Sequence, residues 1–192
     1  MSDASLQLDY DDQWVQVDLE ADPEPWARAL VGLRWAEEDL DPDPVRADAI
    51  VAGIAHILSG LENLNAAMAF LLYPAADEPV VTVVAVREVD CEPGETLDEV
   101  AQDLRFPDEM LEAPVEQSAV ETASGPALRL IQRYREPLSP GVEQVREHVI
   151  YAWLLPDDDS VVTVSTTFVD LVAAGIWRDA LDELALSLTL DR

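Results

Sequence analysis

Residues 127–137, ALRLIQRYREP, and residues 148–168, HVIYAWLLPDDDSVVTVSTTF, decide the class of fold this chain takes. In the first, Leu128, Leu130 and Tyr134 fall on one side of an extended chain and Arg129, Arg133 and Arg135 on the other, the period of two that marks a strand. In the second, β-branched and aromatic residues run on either side of Pro156-Asp157-Asp158-Asp159, whose residue types are those of a turn. Strands joined by links this short pair antiparallel, because a parallel neighbour needs a crossover of about a dozen residues or more.

Working outward, strands are expected at residues 115–123, 127–136, 144–155 and 160–168, with breaks at Ser124-Gly125-Pro126, at residues 137–141 and at the Asp-rich turn. Residues 65–73 and 80–89 are apolar at alternate and intervening positions alike, the mark of strands covered on both faces. Residues 14–20 alternate Val15, Val17 and Leu19 with Gln16, Asp18 and Glu20, which suits an edge strand. Asp22-Pro23 reads as an N-cap followed by Pro at the first helical position, with Trp26, Leu30, Leu33 and Leu40 on one side of the helix and Asp41-Pro42-Asp43-Pro44 ending it. A second helix over residues 45–64 sets Ile50, Ile54, Ile57, Leu58 and Leu61 in one stripe. Thr96 with Glu99 three residues on is a capping-box spacing that opens a helix ended by Pro107. A closing helix uses Trp177, Leu181, Leu184 and Leu188.

The order is thus strand, helix, helix, two strands, helix, four strands, helix. It predicts an α+β fold, an antiparallel sheet packed by helices in an α/β/α sandwich-like arrangement. One domain is expected over residues 1–192, with a two-helix segment at 22–64 and the sheet with its C-terminal helix at 65–190. A chain of 192 residues is long enough to bury a core without disulfides or metals.

Forty acidic residues against eleven basic ones, all of them Arg, give a formal charge of −29 and a pI near 4.1. Phosphate backbones and anionic lipids bind by basic neutralisation, so nucleic acid and membrane surfaces are excluded as partners. Cys91 is alone and lies between Asp90 and Glu92, which disfavours a reactive thiolate. The stretch MSDASLQLDYDDQW has neither the basic nor the apolar region of a secretory signal. The longest uncharged helical stretch, residues 49–61, falls short of the roughly 20 residues a bilayer requires. A cytoplasmic protein of bacterial type, with no membrane insertion, is expected.

Chemistry-bearing motifs are missing: the chain has no GxSxG, P-loop, GxGxxG, HExxH or CxxC. Asp39, Asp41 and Asp43 have the spacing that opens a calcium loop, but Pro42 and Pro44 interrupt it and no turn Gly or closing Glu follows at the right distance. No catalytic residue, metal site or cofactor is expected.

Two surfaces stand out. The first is a patch of Arg129, Arg133, Arg135, Arg146 and His148, which would gather on one outer face if the two strands pair with their apolar faces aligned, and would suit an anion or an acidic partner. A register slipped by one instead sets Glu147 opposite Arg133 and spends the cations on the chain's own carboxylates. The second is a helix face of Ala49, Ala52, His56, Ser59 and Gly60, small and nearly uncharged, open to a partner or a second copy unless the preceding helix covers it with Val31 and Trp35.

From ALRLIQRYREP through HVIYAWLLPDDDSVVTVSTTF to the helix with Trp177 and Leu181, the element order over about residues 66–190 resembles the PsbP-like α/β/α sandwich proteins. The resemblance implies a non-enzymatic module that binds protein partners or serves as an accessory subunit. The two-helix insert at 22–64 departs from that pattern, and no functional residue carries over. The reading that follows is a non-catalytic interaction or accessory domain. The alternatives are a binder of a small anionic or amphiphilic ligand and, third, a hydrolase built on paired carboxylates.

Overall fold

The computed structural model describes residues 5–41, 43–61, 63–155 and 159–191. They fall into two compact units, residues 11–87 and residues 1–10 with 88–192. In chain order the elements are β1 (Ser5–Gln7), β2 (Trp14–Gln16), α1 (Pro23–Glu37), α2 (Pro44–Leu61), β3 (Met68–Leu72), β4 (Thr82–Asp90), α3 (Leu97–Asp103), a 3₁₀ turn (Asp108–Met110), β5 (Glu116–Thr122), β6 (Gly125–Ser139), β7 (Val142–Leu155), β8 (Ser160–Phe168), α4 (Leu171–Leu186) and β9 (Thr189–Asp191). This is the α+β fold with antiparallel strands that the pattern predicts.

In the unit of residues 11–87, β2, β3 and β4 lie in that order, each pair antiparallel. β2 is shorter than its alternation suggests, because Asp18 turns the chain: its carboxylate accepts the Glu20 N–H at 3.1 Å and its carbonyl the Ala21 N–H. Helix α2 buries Ile50, Val51, Ile54, Leu58 and Leu61, close to the expected stripe. Helix α1 differs. Its buried residues are Ala27, Val31 and Trp35, whereas Leu33 is exposed. Of the expected stripe, Trp26, Leu30 and Leu40 are half-buried against the core and Leu33 is not, because the α1 surface that meets α2 centres on Val31 and on Trp35, whose indole donates to the Ala76 carbonyl at 2.6 Å.

In the other unit β8, β7, β6 and β5 follow one another, all antiparallel, and β1 pairs with β9. Strands β6 and β7 run further toward each other than the prolines suggest, leaving Pro140 and Gly141 as the turn, with Gly141 at φ 79°. Pro137 is tolerated because the β6 to β7 register shifts there, between Pro137 and Ser139, where a missing N–H breaks no regular ladder. Helix α4 covers one face of this sheet with Ala174, Leu181, Leu184 and Ala185. Helix α3 covers the other through Val100 and Ala101, against Leu128, Leu130, Ile150 and Ala152. Its start is the expected capping box, Thr96 and Glu99 bonding each other's backbone N–H. It ends at Asp103, short of Pro107. Of the Asp-rich turn after β7, Pro156, Asp157 and Asp158 lie outside the described residues, and Asp159 has φ 47°, the left-handed region that Asp tolerates. Pro42 of the Asp-Pro segment and the first four residues also lie outside them.

Candidate functional site

The register of β6 on β7 decides the fate of the Arg patch. Arg133 lies opposite Glu147, Arg129 opposite Tyr151 and Tyr134 opposite Arg146. Side chains alternate along a strand, so Arg129, Arg133 and Arg135 share the face that α4 covers, while Arg146 and His148 point to the face of α3. The five residues are not brought together. The pairing is the slipped register, in which a Glu rather than a cation stands across from Arg133.

On the α4 face the cations are taken by carboxylates of the same chain. Glu147, 1% exposed, accepts from Arg133 Nε at 2.8 Å and from Arg178 of α4. Arg133 also reaches Glu116 at 3.3 Å. Asp182 of α4 holds Arg129 through both carboxylate oxygens at 2.9 and 2.7 Å and accepts the Tyr151 hydroxyl at 2.5 Å, with the guanidinium 5.8 Å from the centre of the Tyr151 ring. Arg135 bonds Glu112 and lies 3.6 Å from Glu143. Burial, then the bond to Asp182, push the Tyr151 phenol well above its ordinary range. Chemically this is a clamp: two Arg–carboxylate systems bolt α4 onto the sheet.

On the α3 face Arg146 pairs with Glu136 at 2.5 Å. His148 Nδ1 lies 2.9 Å from the Thr167 hydroxyl, its ring 5.5 Å from that of Phe106. Beside it the fully buried Gln132 receives the Phe106 N–H at 2.8 Å and donates to the Leu104 carbonyl at 2.9 Å, so it ties the loop after α3 to the sheet. Glu147, Arg178, Asp182 and Gln132 escaped the sequence reading as site residues. Only Glu147 left a signal, as the partner Arg133 would find in the slipped register.

The second surface is open. Ala49, Ala52, His56, Ser59 and Gly60 are all exposed, as is Gly53 between them. The preceding helix does not cover them. Val31 and Trp35 instead join the core with Ile50, Ile54 and Leu58. The Ser59 hydroxyl bonds back to the Ala55 carbonyl at 2.9 Å, which removes a polar hydrogen from the face. Along its flank a groove of about 350 Å³ runs between Ala49, Gly53 and Ile57 of α2 and Pro79 and Val80, with the Arg46–Asp77 ion pair of 2.7 Å at its rim.

Among the described residues no group of three or more His, Cys, Asp and Glu is placed to hold a metal ion. No protein-family model and no curated protein matches the chain. Among solved structures it is similar to LpqN of Mycobacterium tuberculosis, described as involved in cell envelope biogenesis. The TM-score is 0.55 at 10% identity, over 98% of this chain and 84% of that one. A likeness at that identity is one of fold.

Proposed function

We propose that this protein is a non-catalytic accessory domain that binds a protein partner through the open face of α2. The carrying observation is the two-sidedness of that helix: five apolar side chains are buried while Ala49, Ala52, Gly53, His56, Ser59 and Gly60 stay exposed. A face of small side chains lets a second helix approach near the close end of the usual 8–10 Å packing range. The flanking groove has room for one apolar anchor side chain of the partner, the kind of residue that dominates interface energetics. Residues 11–87 hold fifteen acidic residues against four Arg, so the partner that suits this face carries basic residues around its apolar contact. The likeness to LpqN and the resemblance to PsbP-like modules support an accessory role. The competing small-anion reading is disfavoured, because Arg129, Arg133, Arg135 and Arg146 each already face a carboxylate. A cytoplasmic setting belongs to the same proposal.

The test is site-specific photo-crosslinking in the host, with the crosslinker at position 52 and, as control, at exposed position 33 on α1. One discrete adduct with a basic protein at position 52, lost on Gly53→Arg, is the expected result. Adducts of equal pattern from both positions, an acidic partner, or no adduct at 52 would overturn it.

A further inference from the structure

We infer that two copies of this chain pair antiparallel through the free edge of β5, about a two-fold axis at Ala119. The surface is distinct from α2 and independent of the reading above. Strand β5 ends its sheet, with β6 on one side and no strand on the other among the described residues. A free edge presents unpaired N–H and C=O groups, and monomeric proteins blunt such edges with Pro, Lys, bulges or brevity. β5 has no Pro, no Lys and no bulge, and its charges are the two carboxylates of Glu116 and Glu121. It is seven residues long, EQSAVET, without Pro, Lys or Gly. Its register on β6 is unbroken from Glu116 opposite Ile131 to Thr122 opposite Gly125. Glu116, Gln117, Ser118, Ala119 and Glu121 are exposed, and Val120 and Thr122 are half-buried.

The residues say which strand fits. Two identical edges meeting antiparallel are related by a two-fold axis perpendicular to the sheet, and each residue then faces one whose number sums with its own to a constant even value. Centring on Ala119 uses the whole strand: Glu116 faces Thr122 of the second copy, Gln117 faces Glu121, Ser118 faces Val120 and Ala119 faces itself. No Glu faces a Glu, and the second N–H of the Gln117 amide, whose first donates to Asp98 at 3.4 Å, is left for the Glu121 carboxylate. Centring on Ser118 or Val120 leaves strand ends unpaired. Each copy carries −29 charges, so the pairing works against long-range repulsion that salt removes, the Debye length shrinking from about 10 Å at 0.1 M to about 3 Å at 1 M. Association therefore strengthens with salt.

Sedimentation velocity at about 100 µM chain in about 0.1 and 1 M NaCl is the first readout, with at least a tenfold gain in dimerisation at high salt expected. Ala119→Glu places two carboxylates face to face on an exposed position and returns the chain to a 21.1 kDa monomer with its circular dichroism unchanged. In a Cys91→Ala background, Ala119→Cys forms a disulfide-linked dimer under mild oxidation, whereas Glu121→Cys, which faces position 117, does not. A monomer at high salt, a dimer indifferent to Ala119→Glu, or equal linking by the two cysteines would overturn the inference.

Discussion

Replacing Glu147 by Gln removes one charge from the centre of the clamp and little volume. The carboxylate is 1% exposed and accepts from two guanidinium groups, so the change leaves Arg133 and Arg178 facing a neutral amide. Breaking a fully buried pair costs roughly 3–5 kcal/mol. Here Arg133 and Arg178 keep 34% and 27% of their side chains accessible to water. That access, together with the Glu116 carboxylate that Arg133 keeps at 3.3 Å, lowers the penalty to about 2–3 kcal/mol. At roughly 2–4 °C per kcal/mol for a chain of this length, Tm falls by about 4–12 °C. Urea unfolding followed by circular dichroism measures the loss directly, through a lower midpoint at unchanged slope. The same reasoning predicts that removing all three charges together, Glu147→Leu with Arg133→Met and Arg178→Met, recovers most of the stability, because the cost lies in the orphaned charge and not in the lost attraction. A single Glu147→Gln within about 0.5 kcal/mol of the parent, or a triple variant weaker than the single one, would refute the argument.

Alkaline pH should weaken the fold. Burial pushes the Tyr73 phenol up to about 12, with Arg34 working against it, and burial likewise raises Tyr151. Both folded values lie above the unfolded value of about 10, so this stability is complete below pH 10 and is lost as pH climbs toward 12. Urea midpoints measured from about pH 9 to 12 should fall, and Tyr73→Phe with Tyr151→Phe should flatten the decline; a flat parent profile would contradict it. Gly125 sits at φ 103° with open space where a Cβ would go, so Gly125→Ala should cost about 1–2 kcal/mol through backbone strain alone, and an unchanged urea midpoint would count against the turn geometry. Burial first, then Glu95, Asp159 and Asp90, push the Cys91 thiol up. A disulfide reagent at pH 8 should therefore modify it more slowly in the folded chain than in urea, and equal rates would show the thiolate unhindered.

What the residues disclosed depended on how local the information was. The α2 stripe and the Thr96/Glu99 capping box are set within one or two turns, and both stand in the structure as read. The α1 stripe is legible only in part: Leu30 and Leu40 flank the core, but Leu33 faces out, because Trp35 reaches the Ala76 carbonyl across the unit and centres the buried face on Val31 and itself. Strands β1 and β9 have three residues each and only become strands by meeting across the length of the chain. The Arg residues were visible as a cluster, but their use was not. Whether Arg129 is a free cation or half of a clamp depends on Asp182, fifty-three positions later on another element. The burial of Glu147 likewise requires α4 to be in place.

The pairing of β1 with β9 sets a clock on synthesis. Ser5 lies opposite Asp191 and Gln7 opposite Thr189, so β1, once made, waits for β9. At about 5–20 residues per second a ribosome leaves that strand without its partner for roughly 10–40 s. The intervening residues 11–87, whose strands and helices pair among themselves, emerge whole in that interval. A circular permutant that joins the two ends and opens the Pro140-Gly141 turn would remove the wait, and would place new termini at the tip of the longest hairpin.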